Sequence, residues 1–216
     1  MLFVVVYIDR SVKNQVSIMK EEPQSVRERL IRTTGQLLRS HGYYGTGLDE
    51  ILKDSDAPKG SLYHYFPGGK RQLASEAVRY MAGRMAKRMV DDLSLTADPI
   101  EGLRLFLAGR ANDLEASGFK SGCPIATVTL ETASEHSDLC GVCSQSFDGL
   151  KQILHEHLSR AGFGQERANS LATLFLASWE GALILSRAHR NTKPLDIVAK
   201  EICAMIGGIL GKGQNV

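Results

Sequence analysis

Long apolar runs, a dominant charge sign, abundant cysteine and extended β-branched stretches are all missing from this chain, and each absence excludes something. Lys and Arg number 26 against 24 Asp and Glu, a net charge of +2. No bulk excess demands a polyanionic partner; only the placement of charge can argue for one. Four cysteines in 216 residues are too few for a disulfide scaffold and read as the thiols of a cytoplasmic protein. The apolar run at residues 2–8 is closed by Asp9 and Arg10, far short of the ~20 residues of a membrane span. No signal-peptide pattern accompanies it and no other stretch is expected to reach that length, so no membrane partner is expected. Residues 1–22 read as a poorly ordered extension, the patterned sequence starting just past Met19. β-Branched residues gather only near 4–7 and 125–130, too few for a sheet.

What is present is helical periodicity. With 43% hydrophobic residues, the chain has the composition of a folded domain, and its apolar positions recur near every 3.6 residues. The pattern predicts an all-α fold. Helices are expected over 25–41 with Gly42 as stop, 48–55, 59–66, 70–93, from 98–99 onward, 124–136, 142–161, 166–189 and 195–210. Residues 171–186 are apolar nearly all round, with Glu180 the only charge. A helix with two apolar faces packs on its own subunit and on something else. Together with the last helix it would form a four-helix interface between two copies of the chain. The contact residues expected there are Leu174, Gly181, Leu185, Ile202, Met205 and Ile209; the alternative is a central helix of a monomeric core.

Enzyme signatures fail one by one. There is no Gly-x-Ser-x-Gly elbow, no Walker loop, no Glu-x-x-His and no zincin spacing; His155 and His157 read as solvated polar residues. No catalytic residue, cofactor or metal is expected. Cys140 and Cys143 have Cys-x-x-Cys spacing, which suits a redox pair or half a zinc site. Zinc would need Cys123 and His136 as well, and inert thiols are the plainer reading.

The most informative stretch is 42–73. A longer helix followed by two short ones around Ala57-Pro58 has the grammar of a helix-turn-helix. Lys59, Ser61 and the peptide N–H groups of Gly60 and its neighbours suit a phosphate, while Tyr63, His64 and Tyr65 suit base edges or the sugar–phosphate backbone. Leu62 and Phe66, four residues apart, would anchor that helix to its core.

Gly60-Ser61-Leu62-Tyr63-His64-Tyr65-Phe66 followed by Lys70 resembles the recognition helix of the TetR family of transcriptional regulators. Gly47 departs from the family's Ser or Thr at the start of the second helix, and Thr46 is the expected substitute. Farther along, Gly122-Cys123-Pro124 with Leu130-Glu131, and Trp179-Glu180-Gly181-Ala182, resemble the lincomycin-resistance-regulator (LmrA/YxaF-like) branch. The resemblance implies a helix-turn-helix DNA-binding domain over 23–70 and a ligand-binding and dimerisation domain over 71–216. It also implies double-stranded operator DNA, a homodimer and a small-molecule effector as partners. DNA contacts are then expected from Thr46, Gly47, Lys59, Gly60, Ser61, Tyr63, His64, Tyr65 and Lys70. A pocket for a small hydrophobic or aromatic effector is expected among Met85, Phe106, Cys123, Phe175 and Trp179, with Phe106 and Trp179 as walls and Arg110, Thr127 and Glu131 as polar groups. Two alternatives stay open: a cysteine-based redox or metal-sensing regulator, and a helical small-molecule-binding protein or enzyme without DNA binding.

Overall fold

A computed structural model describes residues 25–134 and 137–213, the side chains of 212 and 213 aside. The extension at 1–22 and the candidate ligand His136 lie outside the described residues. Among those described the fold is all-α: α1 (Val26–Gly45), α2 (Leu48–Asp54), α3 (Ser61–Tyr65), α4 (Gly69–Leu93), α5 (Pro99–Ala116), α6 (Pro124–Thr132), α7 (Ser137–Arg160), α8 (Gln165–His189) and α9 (Lys193–Gly213).

Local chemistry sets the helix starts. Ser25 and Glu28 form a reciprocal capping box at α1, satisfying two otherwise orphaned N–H groups. Asp98 caps α5, with Pro99 at its first position, where a missing N–H costs nothing. α7 begins at Ser137, five residues before the expected start, so Cys140 and Cys143 both lie on it, one turn apart.

Gly42 ends the straight part of α1 as expected, but the chain does not leave the helix there. With φ 75° and ψ −175°, a conformation open essentially only to glycine, it redirects one further turn through Gly45. Tyr43 is carried into the core at 7% exposure, and the Lys70 ammonium sits 4.6 Å from its ring centroid.

α2 and α3 fold back on α1, which in turn packs on α4 and α6. Leu30, Leu38, Ile51, Leu62, Phe66 and Leu73 are fully or almost fully buried there. Arg29 of α1 donates to the carbonyls of Ser55 and Asp56, both at 2.9 Å, pinning the turn between α2 and α3. The larger body is built by α4 on α5 and α7, α7 on α6 and α8, and α9 on α5 and α8. α4 contributes to both bodies and crosses the expected boundary at residue 70 without a break.

One expectation fails on hydropathy. α8 is long and apolar enough, by length and composition, to cross a membrane, contrary to the reading that no stretch past residue 8 is; 44% of its most apolar window is buried inside the protein. His157 is also not solvated: its Nε2 lies 2.8 Å from the Pro99 carbonyl, tying α7 to the start of α5, and burial lowers its pKa.

Candidate nucleic-acid interface and effector region

α3 presents one apolar and one polar side. Leu62 and Phe66 are 1% and 0% exposed, whereas Tyr63 is 62% exposed. The His64 ring stands edge-on to that of Tyr65 at 4.8 Å, and Tyr65 leans against the core. Lys59 and Gly60 are exposed in the turn ahead of the helix. A phenol, an imidazole and an ammonium are thus exposed on and just ahead of α3, a set that can meet both phosphate and base edges. α3 spans five residues, Lys59 lying before it rather than within it.

Four expected DNA contacts stand differently. Thr46 is wholly buried and its hydroxyl donates to the Gly42 carbonyl at 2.6 Å. The redirected turn draws it inward, so it does not replace the missing cap on α2. Gly47 starts α2 with no side-chain bond and is exposed, offering only backbone. The Ser61 hydroxyl donates to Pro58 O at 2.6 Å, closing the turn before α3. Lys70 is half-buried over Tyr43, with its pKa lowered by desolvation against the attraction of Glu131.

The expected effector residues divide into three groups. Phe106, Phe175 and Trp179 are at most 1% exposed. Phe106 meets Trp179 edge-to-face at 4.9 Å and Phe175 at 6.3 Å. They therefore close on one another rather than form two walls of an open slot. Beside Trp179, a cavity of about 30 Å³ is lined by Met85, Arg110 and Cys123 among others. Arg110 is 4% exposed, with Asp92 at 3.3 Å and Asp113 at 3.4 Å and the Phe106 ring 5.0 Å away. Thr127 and Glu131 line a separate groove of about 200 Å³ between α6 and α8, to which Cys123 also belongs.

Two further features of this region emerge only in the fold. Glu180 has both carboxylate oxygens buried without a hydrogen-bond partner. Burial pushes its pKa up to about 7, with the Cys123 thiol opposing. Arg39, Arg84 and Arg88 converge on a third cavity at the junction of α1, α4 and α6. The i, i+4 spacing of Arg84 and Arg88 was visible in the sequence; their meeting with Arg39 was not.

On α8 and α9, Leu174, Leu185 and Met205 are 44%, 52% and 40% exposed, joined by Ile184 and Ile197 at 50% and 61%. Gly181 has open space where a Cβ would stand, and Ile209 is half-buried. Ile202 is 7% exposed; it is buried in the protomer's own core and does not belong to the exposed stripe.

Comparison with known proteins places this geometry. The model of the TetR family of bacterial regulatory proteins matches residues 30–77. That of the LmrA/YxaF-like transcriptional regulator C-terminal domain matches residues 99–201. The uncharacterized HTH-type transcriptional regulator YxaF of Bacillus subtilis is 35% identical over 83% of this chain and 94% of its own length. The HTH-type transcriptional regulator LmrA of the same organism is 35% identical over 78% of this chain and 90% of its own. A TetR regulatory protein from Rhodobacter sphaeroides has the same fold, with TM-score 0.76 and 23% identity over 83% of this chain and 97% of that one. A CifR cysteine mutant, solved in complex with 26-bp double-strand operator DNA, shares the fold with TM-score 0.71 and 18% identity over 84% of this chain and 97% of that one. A short exposed helix on an anchored three-helix head, joined through α4 to a larger helical body, is thus matched over 78–83% of the chain by regulators of transcription, and the chain belongs to the TetR family, in its LmrA/YxaF-like branch.

Proposed function

We propose that this regulator is a cytoplasmic repressor that acts without catalysis, binding a palindromic operator as a homodimer and leaving it when a small, largely apolar effector enters the larger domain. The observation that carries the reading is the polar side of α3, with Tyr63 62% exposed on a helix fixed from behind by Leu62 and Phe66. An aromatic and a neighbouring imidazole held rigidly outward suit a groove reader. The CifR structure, bound to operator DNA, supports carrying this use to the present fold. The exposed Leu174, Leu185 and Met205 support two-fold pairing through α8 and α9, since a second copy would cover them.

An effector acts by population shift: it must bind the DNA-incompetent arrangement of the two heads more tightly than the competent one. Sensing through Cys123, Cys143 or Cys203 is less favoured, because burial raises their pKa values and the thiol, not the thiolate, prevails. The test is gel retardation of an inverted repeat upstream of the gene or its neighbour, with half-site centres about 34–36 Å or a multiple apart. Retardation whose sequence preference changes with Tyr63→Ala, in a variant that melts like the parent, supports the reading; no retardation of any such repeat overturns it.

A further inference from the structure

We infer that the effector is a small organic carboxylate, held by Arg39, Arg84 and Arg88 at the junction of α1, α4 and α6. The inference rests on the effector reading above and specifies its chemistry. The cavity there measures about 190 Å³, with Met81, Met85 and Ile125 as apolar lining beside the three arginines. That is the volume of roughly six liquid waters, room for a carboxylate on a short apolar body.

The charge balance favours an anion. Arg39, Arg84 and Arg88, with Arg110 just behind, bring four guanidinium groups together: after burial, Arg88 and Arg84 act to lower the pKa of Arg39, and Arg88 and Arg39 that of Arg110. Two carboxylates answer them. Asp113 takes Arg88 at 2.7 Å and Arg110 at 3.4 Å, and Asp92 takes Arg110 at 3.3 Å. Among the described residues Arg84 has no carboxylate partner; its guanidinium lies 6.0 Å from the Tyr80 ring. Arg39 is half-buried, its Nε donates to the Gly122 carbonyl at 3.1 Å and Asp113 attracts it; the outer fork of a guanidinium suits a carboxylate. Desolvation is the largest influence on Arg39, so an incoming anion would meet a charge only partly hydrated.

The location ties binding to the reading head. Arg39 belongs to α1, which carries α2 and α3, whereas Arg84 and Arg88 belong to α4. The backbone N–H of Gly122, next to the start of α6, also donates to Arg39 O at 3.1 Å. The cavity adjoins the smaller one beside Trp179, with which it shares Arg39, Met85 and Cys123. A carboxylate bridging α1 and α4 changes the attraction between the head and the body, which is the differential contact a switch requires.

The experiment is titration calorimetry of the full chain with butyrate and benzoate, against butyramide, benzamide and inorganic phosphate, at low and high chloride. Binding of a carboxylate, weakened about tenfold or more by Arg84→Gln and by Arg39→Gln, and absent for its amide, supports the site. Arg84 is exposed, so its substitution leaves the fold intact even if that of Arg39 does not. Equal binding of amide and acid, phosphate bound as tightly as either acid, or no heat with any acid overturns it. Operator retardation measured in parallel separates the two readings: carboxylate binding without DNA release keeps the anion site and refutes its effector role, whereas release by neutral compounds alone keeps the effector reading and refutes the carboxylate.

Discussion

The carboxylate of Glu131 accepts the backbone N–H of Tyr44 at 2.9 Å, so α6 of the larger body holds the last turn of α1 immediately before the helix-turn-helix. The contact depends on Gly42, where an added Cβ would run into that carboxylate. Gly42→Ala combines this clash with a φ of 75° and is expected to cost about 1–3 kcal/mol. Thermal unfolding followed by circular dichroism measures it. In the double variant with Glu131→Ala, the clash disappears and only the backbone strain remains, so the two losses should fall short of additive. Strict additivity would dissociate Gly42 from Glu131.

Operator binding divides the surface of the head by role. Lys59→Ala should weaken binding to all sequences and reduce the salt slope by about one. Tyr63→Ala or His64→Ala should instead change the preference among operators. Thr46→Val is expected to lower stability through the lost 2.6 Å bond to Gly42, by about 1 kcal/mol or more, with no change in salt slope. A changed slope for Thr46→Val would mean that its hydroxyl reaches phosphate after all.

Gly181 tests the pairing of two copies. Its Cβ position is open within the protomer, so Gly181→Leu leaves the isolated fold unstrained while obstructing anything packed against that part of α8. Sedimentation velocity is expected to move from dimer toward monomer, and Leu185→Glu should do the same by placing a charge on a face now 52% exposed. A parent protein that sediments as a monomer, or variants that remain dimeric, would remove α8 from the interface.

Glu180 makes stability fall with rising pH. Its folded pKa is raised from 4.5 to about 7 by burial, so the folded state holds a proton that the unfolded state has released. The favourable contribution is complete below pH 4.5, declines between 4.5 and about 7, and is gone above. A shift of that size corresponds to about 3 kcal/mol. Glu180→Gln, facing the Cys123 thiol, is expected to melt higher than the parent at pH 8 and to lose most of the difference at pH 5. Equal pH profiles would show that Glu180 is hydrated.

The recognition segment was legible in sequence because its signals are local. The spacing of Leu62 and Phe66, the outward Tyr63 and His64, and the break at Ala57-Pro58 all lie within a few residues of one another, and helical period alone assigns their faces. The doubly apolar α8 was legible for the same reason. Tertiary structure decided the rest. Thr46 turned inward because Gly42 redirects the chain, and Ile202 turned inward because α9 packs on α5 and α8 of its own protomer. Phe106 and Trp179 closed on each other across α5 and α8, where the family resemblance had implied an open slot. Arg39 met Arg84 and Arg88 only through the crossing of α1 and α4. Period and propensity state which side of a helix is apolar; which helix comes to lie against that side depends on contacts between residues tens of positions apart, and those exist only once the chain has packed.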